Sequence, residues 1–308
     1  MLLGAIWGAV LVTTLCALLI AQAPDMQTFD ETVAPGANFD KAAFRLWCPP
    51  GAQPLKAVLV LVPGSNGDGR GEVTDPVWRD FAVRNRVALL GCHLTDKPHE
   101  QGFIEQYADV SKGSGQAFLA ALAALGRQAR HPELADAPLL LWGMSAGGQF
   151  NYEFTAWKPE RVMAFVVNKG GIYYTALVPG AARNVPGLLF VGGKDLWSRN
   201  NTIAGLFAVN RRAGALWALA EEPSAAHVVG RSRDLALLFF EDVMGLRLDA
   251  GGLKAVAEKD GFVGDLTTRT FKAGREATAA AGPTAWLPTE RIARAWQAML
   301  TEQPFDKK

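Results

Sequence analysis

Leu139-Leu140-Leu141-Trp142-Gly143-Met144-Ser145-Ala146-Gly147-Gly148 is the stretch on which the reading of this chain turns. Four large apolar residues end in a glycine-rich turn with a serine at its centre, and a helix is expected directly after it, over residues 149–157. The turn has the form G-x-S-x-G. A sharp strand-to-helix turn forces its central residue into a strained backbone conformation, and small neighbours relieve the crowding. The serine oxygen then stands clear at the head of the following helix. In a chain with 32 glycines the pattern alone is weak. Its place between an apolar strand and a helical segment separates it from a plain tight turn with a bystander serine.

The segments on either side repeat the same alternation. Continuous apolar or β-rich runs at residues 44–48, 57–62, 87–90, 162–167, 187–191 and 215–219 read as strands. Runs of that length suit strands covered on both faces. Between them, helices are expected at 75–84, opened by Asp75 as N-cap with Pro76 behind it, and at 115–127, where Phe118, Leu119, Leu122 and Leu125 share a side. Two more fall at 202–212 and 233–244. Strands alternating with helices give an α/β fold, with a mostly parallel central sheet and helices on both faces. The alternation breaks near Asp249, and Gly251-Gly252 looks like a boundary. A last helix opens at Pro288-Thr289 with an apolar stripe of Ile292, Trp296, Met299 and Leu300. We read residues 24–248 as the catalytic domain and 249–308 as a C-terminal extension packed on it.

In open α/β sheets, ligands bind beyond the carboxyl ends of the strands. A serine there needs a base to become a nucleophile, and the base needs an acid to orient it. His227 is the single histidine after Ser145 and lies in the loop behind the strand at 215–219. Behind the preceding strand comes Gly192-Gly193-Lys194-Asp195. The order Ser145, Asp195, His227 therefore supplies nucleophile, acid and base at three strand ends on one edge. Two backbone N–H groups must face the developing oxyanion. Ala146, the residue after the serine, is one candidate. Ser65, in Pro63-Gly64-Ser65-Asn66-Gly67, is the other, with Asn66 second.

Pro63-Gly64-Ser65, Gly143-Met144-Ser145-Ala146-Gly147-Gly148, Gly192-Gly193-Lys194-Asp195 and the lone late His227 together resemble exported α/β-hydrolases. The groups most alike are polyhydroxybutyrate depolymerases, feruloyl esterases and polyester hydrolases, with dienelactone-hydrolase-like enzymes close by. The resemblance covers roughly residues 44–246. It implies the α/β-hydrolase fold, an acyl-enzyme mechanism through Ser145, and no cofactor. It departs in the oxyanion loop, which reads Pro-Gly-Ser where His-Gly is usual, and in the extension, which matches no substrate-binding module. If the strand order of that fold holds, the strands bearing Cys48 and Cys92 are neighbours, which leaves open either a disulfide or two buried thiols.

Around this site, Asn66, His93, Tyr173 and Trp197 are candidates to touch substrate. His93 and His99 follow the strand at 87–90, whereas His131 precedes a strand and is expected to be structural. Trp157 and Tyr174 are further aromatics for an acyl or aryl pocket, or else core. Lys169 sits at a strand end with either substrate contact or a salt bridge open to it. The glycine-rich run 64–71 is neither a P-loop, since Arg70-Gly71 replaces the required Lys and Ser/Thr, nor a dinucleotide fingerprint, since Glu72 stands where the third glycine belongs. No Cys/His spacing marks a metal.

The 31 basic and 30 acidic residues leave a net charge of +1, without the basic excess that nucleic-acid binding needs. From Leu2 to Pro24 there is no charged residue. Residues 1–23 read as a signal peptide or a membrane anchor, or as the product of a misplaced start codon. Ala21-Gln22-Ala23 has the small-x-small form of a cleavage site, but no Lys or Arg precedes the run and Pro24 would follow the cut. The expectation is a periplasmic or secreted monomer, or one anchored by that segment, acting on a small or polymeric ester. A serine peptidase, an acyltransferase and a non-catalytic hydrolase-fold binding protein are the alternatives.

Overall fold

In the computed structural model the described residues are 28–306 apart from 52, 53, 103, 250, 251 and 277–282. The expected leader or anchor at 1–23 and Gly251 of the expected boundary lie outside them. No described helix is long and apolar enough to cross a membrane.

One eight-stranded sheet organises the chain. Its strands are β1 (Thr28–Val33), β2 (Lys41–Trp47), β3 (Ala57–Val62), β4 (Val87–Thr95), β5 (Leu139–Gly143), β6 (Val162–Asn168), β7 (Gly187–Gly192) and β8 (Trp217–Glu222). Their spatial order is β1-β2-β4-β3-β5-β6-β7-β8. β1 and β2 pair antiparallel, as do β2 and β4, and every pair from β4 to β8 is parallel. All residues of β3, β5, β6 and β7 are buried, as strands sandwiched between helix layers must be.

The helices divide between the two faces. α1 (Pro76–Asn85), α2 (Ser114–Gln128), α3 (Ala146–Trp157), the single-turn α4 (Gly180–Arg183), α5 (Trp197–Arg212) and α6 (Ser232–Arg247) follow in chain order. On one face Phe118, Leu122 and Leu125 of α2, Phe150 and Phe154 of α3, and Ile203 and Phe207 of α5 pack on the sheet. On the other, Trp78 and Phe81 of α1 join Phe239, Phe240 and Val243 of α6. The Asp75 carboxylate caps α1 by accepting from the N–H of Val77 at 2.7 Å. This is the α/β-hydrolase fold.

Beyond α6 come a short pair, β9 (Leu248–Asp249) with β10 (Gly252–Leu253), and a three-stranded antiparallel sheet. The latter holds β11 (Phe262–Asp265), β12 (Thr270–Ala273) and β13 (Thr284–Leu287) in the order β12-β11-β13. α7 (Glu290–Leu300) closes the chain, and the Thr289 hydroxyl caps it by accepting from the Ile292 N–H at 3.2 Å. The stripe Ile292, Trp296, Met299 and Leu300 is at most 2% exposed. Both β13 and α7 lie against β8, and the Trp296 indole donates to the Leu219 carbonyl at 2.8 Å.

The neighbouring strands of Cys48 and Cys92 are as the resemblance implied, but the register parts the two thiols. Cys92 stands opposite Phe44, and Cys48 lies one residue past the Trp47–Leu89 pair. Four residues of strand separate the levels, about 13 Å, where bridging needs Cα atoms within about 7 Å. Both are free and buried, and burial pushes the Cys48 thiol up to about 12.

Candidate active site

The turn after β5 is built by backbone crowding. A Cβ on Gly143 would stand 2.2 Å from the carbonyl oxygen of Gly147, and one on Gly147 would stand 2.1 Å from that of Val62. No side chain fits at either place, so the chain passes from strand to helix with backbone against backbone. Ser145 pays conformationally, at φ 54° and ψ −122°, a region L-residues rarely occupy. Its own N–H donates to the Asn168 carbonyl of β6 at 2.8 Å. Behind it α3 begins, and Ala146 as first helical residue has an N–H with no intrahelical acceptor.

Asp195 and His227 arrive from the ends of β7 and β8. The imidazole Nε2 lies 3.0 Å from Ser145 Oγ, and Nδ1 lies 2.8 Å from Asp195 Oδ2. The Asp195 side chain is 2% exposed and that of His227 34%. Asp195 Oδ1 accepts from the Leu196 N–H at 2.7 Å and from Arg199 at 2.6 Å. Burial pushes the Asp195 carboxyl up, but the His227 and Leu196 hydrogen bonds and the Arg199 charge outweigh it. Its pKa falls below the ordinary value. Three residues 82 apart in sequence at their widest thus form one hydrogen-bonded line.

The loop after β3 comes up against this line: a Cβ on Gly64 would sit 3.6 Å from Ser145 Cβ. The turn is closed by Gly67 N–H to the Gly64 carbonyl at 3.0 Å. Asn66, at φ 52°, locks it sideways. Its N–H donates to the Tyr107 hydroxyl at 3.4 Å, and its Oδ1 accepts from the Asp96 N–H at 2.7 Å. The Asn66 N–H, the second of the two expected donors in this loop, is so engaged within the fold.

The other candidates divide. Trp197 opens α5 directly behind Asp195 and Leu196 and is 79% exposed. Tyr173 packs edge-on against Tyr152 with centroids 5.0 Å apart, and its hydroxyl lies against Gly170. His93 is engaged with Asp68, its Nδ1 3.3 Å from Oδ2. Burial lowers its pKa, against the opposing pull of Asp68. His99 pairs with Asp96 and His131 with Glu133. Of the two readings open to Trp157, the structure gives packing against the core. Trp157 ends the helix that Ser145 begins, about 18 Å away along the axis, and packs against Gly115 and Phe154. The Tyr174 hydroxyl donates to the Glu105 carbonyl at 3.0 Å. Lys169 makes a salt bridge to Glu222 at 3.0 Å.

Sequence reasoning missed Arg199, although its place four residues after Asp195 at a helix start was a usable signal. It also missed Glu153. This buried carboxylate accepts from the N–H groups of Tyr174 and Thr175 and from the Thr175 hydroxyl, at 2.7–2.9 Å, and so fixes the segment behind β6. Among the described residues no group of three or more His, Cys, Asp and Glu is arranged to hold a metal.

No family model and no curated protein matches the chain by sequence. Solved structures do match. A ferulic acid esterase superposes with a TM-score of 0.52 at 12% identity, over 71% of this chain and 98% of that one. Poly(aspartic acid) hydrolase-1 from Sphingomonas sp. KT-1 gives 0.47 at 15% identity, over 69% and 98%. A poly(3-hydroxybutyrate) depolymerase from Bordetella parapertussis gives 0.46 at 19% identity, over 68% and 86%. At such identities the likeness is one of fold. The ferulic acid esterase is of a kind that the sequence motifs resemble.

Proposed function

We propose that the chain is a serine hydrolase that cleaves carboxylic esters through an acyl-enzyme. The observation that carries the reading is the unbroken line Ser145 Oγ, His227 Nε2, His227 Nδ1, Asp195 Oδ2, with steps of 3.0 and 2.8 Å about one imidazole. Ser145 Oγ attacks the ester carbonyl carbon while its proton passes to His227 Nε2. Asp195 holds the Nδ1 proton, fixes the tautomer and stabilises the imidazolium. The N–H groups of Ala146 and Ser65 receive the oxyanion. As the C–O bond breaks, the imidazolium gives its proton to the departing alcohol. A water molecule, losing its proton to His227, then attacks the acyl carbon and frees the acid and Ser145. No cofactor enters these steps.

The test is hydrolysis of p-nitrophenyl esters of graded acyl length by wild type and Ser145→Ala, beside fluorophosphonate labelling. Wild type should turn over, and the variant should fall on the order of a million-fold. Labelling of Ser145 without ester turnover would mean an active serine with a different acyl substrate. No turnover and no labelling would overturn the reading in favour of a binding protein.

A further inference from the structure

His227 sits in a loop, residues 223–231, that is close-packed on one side only. A Cβ on Gly193 would stand 2.2 Å from the Pro223 carbonyl oxygen and one on Gly192 2.8 Å from that of Ala226, and the Lys194 N–H donates to the Ala225 carbonyl at 2.9 Å. Beyond His227, Val228 is 52% and Val229 37% exposed. On that side packing does little to decide where the imidazole stands, and polar contacts at the two ends of the loop complete its support. Glu222, the last residue of β8, holds the near end with its backbone. Its carbonyl accepts from the Gly193 N–H at 3.0 Å and from the Ala225 N–H at 3.1 Å. It holds the far end with its side chain, for Oε1 accepts from the Arg231 N–H at 2.6 Å. Arg231 is the N-cap of α6, so the carboxylate also lies at the positive end of a helix.

The other carboxylate oxygen, Oε2, takes the Lys169 ammonium at 3.0 Å. The Lys169 side chain is 0% exposed and that of Glu222 10%. Lys169 is held just as firmly from behind. Its backbone is left-handed, at φ 53°, and its N–H donates to the Phe190 carbonyl of β7 at 3.1 Å. Its Nζ also reaches Asn168 Oδ1 at 3.2 Å. A Cβ on Gly192 would come within 2.9 Å of Lys169 Cε, so the glycine makes room for the lysine chain. The Asn168 carbonyl in turn accepts from the Ser145 N–H. The dipeptide Asn168-Lys169 therefore reaches the serine through its backbone and the histidine loop through a buried ion pair.

We propose that Lys169 and Glu222 are positioning residues that set the distance between His227 and Ser145. Glu222 staples the loop shut across its two ends, and Lys169 ties that staple to the strand end that holds the serine. The inference rests on the ester-hydrolase reading for its kinetic consequence. A buried ion pair is often replaceable by apolar groups at little cost in stability, whereas a misplaced general base is costly in rate, on the order of a hundredfold for about 1 Å. Stability and turnover should therefore separate.

Two double variants of the full chain test this. Lys169→Met/Glu222→Leu removes both charges and the acceptor for the Arg231 N–H. Its kcat should fall roughly 10- to 100-fold with KM within about threefold, and amide exchange in residues 223–231 should speed up at least about tenfold. Lys169→Met/Glu222→Gln removes both charges but keeps an acceptor oxygen. It restores the Glu222 staple but not the Lys169 tie, so slow exchange should return while kcat stays between the other two proteins, about fivefold below wild type. Equal kcat and exchange in wild type and the Met/Leu variant would overturn the inference. So would a Met/Gln variant with the kcat of wild type, which would leave Lys169 without a part, one with the kcat of the Met/Leu variant, which would leave the Glu222 acceptor without one, or a Met/Leu variant that melts more than about 10 °C below wild type, which would make the pair a foundation of the fold. If wild type turns over no ester and Ser145 takes no label, the functional reading fails, while the exchange measurement still judges the staple.

Discussion

Ser145 and His227 stand 3.0 Å apart, yet they are held by different kinds of force. Around Ser145 the backbone is packed so tightly that Gly143 and Gly147 admit no methyl group, and the first ten residues of α3 are buried. Around His227 the backbone is as close-packed on the near side, where Gly192 and Gly193 admit no methyl group against Pro223, Ala225 and Ala226, but the far side is exposed at Val228 and Val229 and anchored by hydrogen bonds and one ion pair. Close packing resists displacement steeply, because the nearest atoms are already in contact. Polar staples are directional and are exchanged for water at small net cost. Ser145 is thus fixed by packing, whereas the far side of the His227 loop is fixed by a few replaceable contacts.

The largest effect that sharpens this contrast lies in the acid between the two. Asp195→Asn should lower kcat about ten-thousandfold by favouring the wrong tautomer, with the fold intact by circular dichroism. A loss of less than tenfold would mean that Arg199 or the Leu196 N–H, and not the tautomer, is what matters at Asp195. The lowered pKa of Asp195 has a sign that can be followed in the same experiment. Its contribution is present above the unfolded carboxylate value and is lost as pH falls through the lower folded value. The kcat/KM profile of wild type should accordingly contain no carboxylate ionisation above about pH 4.

Next in size, Gly147→Ala places a methyl against the Val62 carbonyl and should cost roughly 3 kcal/mol or more in urea unfolding. A cost below about 1 kcal/mol would show that the serine turn yields as readily as the histidine loop. Smaller again is truncation of the chain after Leu300. The Glu302 carboxylate accepts from the Ser224 hydroxyl, the Gln303 carbonyl accepts from Arg231 at 2.7 Å, and the Phe305 ring lies 4.6 Å under the Arg231 guanidinium. Truncation should lower kcat by about threefold and Tm by at most about 4 °C. A larger fall in kcat would move the main support of the loop from Glu222 to the C-terminus. Val228→Ser, at an exposed site within the loop, should change unfolding by no more than about 0.5 kcal/mol.

What the sequence disclosed follows the same divide. The turn at Ser145 was legible because its requirements are local: a strand, small residues at fixed spacing, a helix. Strands β3 to β8 were legible because burial on both faces leaves continuous apolar runs. β1 was not, since Thr28–Val33 is an edge strand with alternating exposure and carries Asp30 and Glu31. The strands β11 to β13 have only four residues each, too few for a period to declare itself. Asp195 and His227 could be placed from chain order and strand ends alone. The Lys169–Glu222 pair could not, because 53 residues separate its members and only the adjacency of β6, β7 and β8 brings them together. Trp157 stayed open between pocket and core for a related reason, since a tally of aromatics near helix ends does not say which end faces the site.

β8 is the last strand of the sheet, and an outermost strand offers unpaired peptide groups to any other extended chain. The far edge is guarded by charge: Asp30 on β1 pairs with Arg45, and Glu31 accepts from Gln128. At β8 the guard is the extension itself, with α7 and β13 laid along it and the Trp296 indole on the Leu219 carbonyl. A chain ending at Arg247 would bare both that edge and the apolar surface that α7 covers, an invitation to strand-by-strand self-association. The extension thus covers that edge and the apolar surface beside it, independently of the chemistry at Ser145.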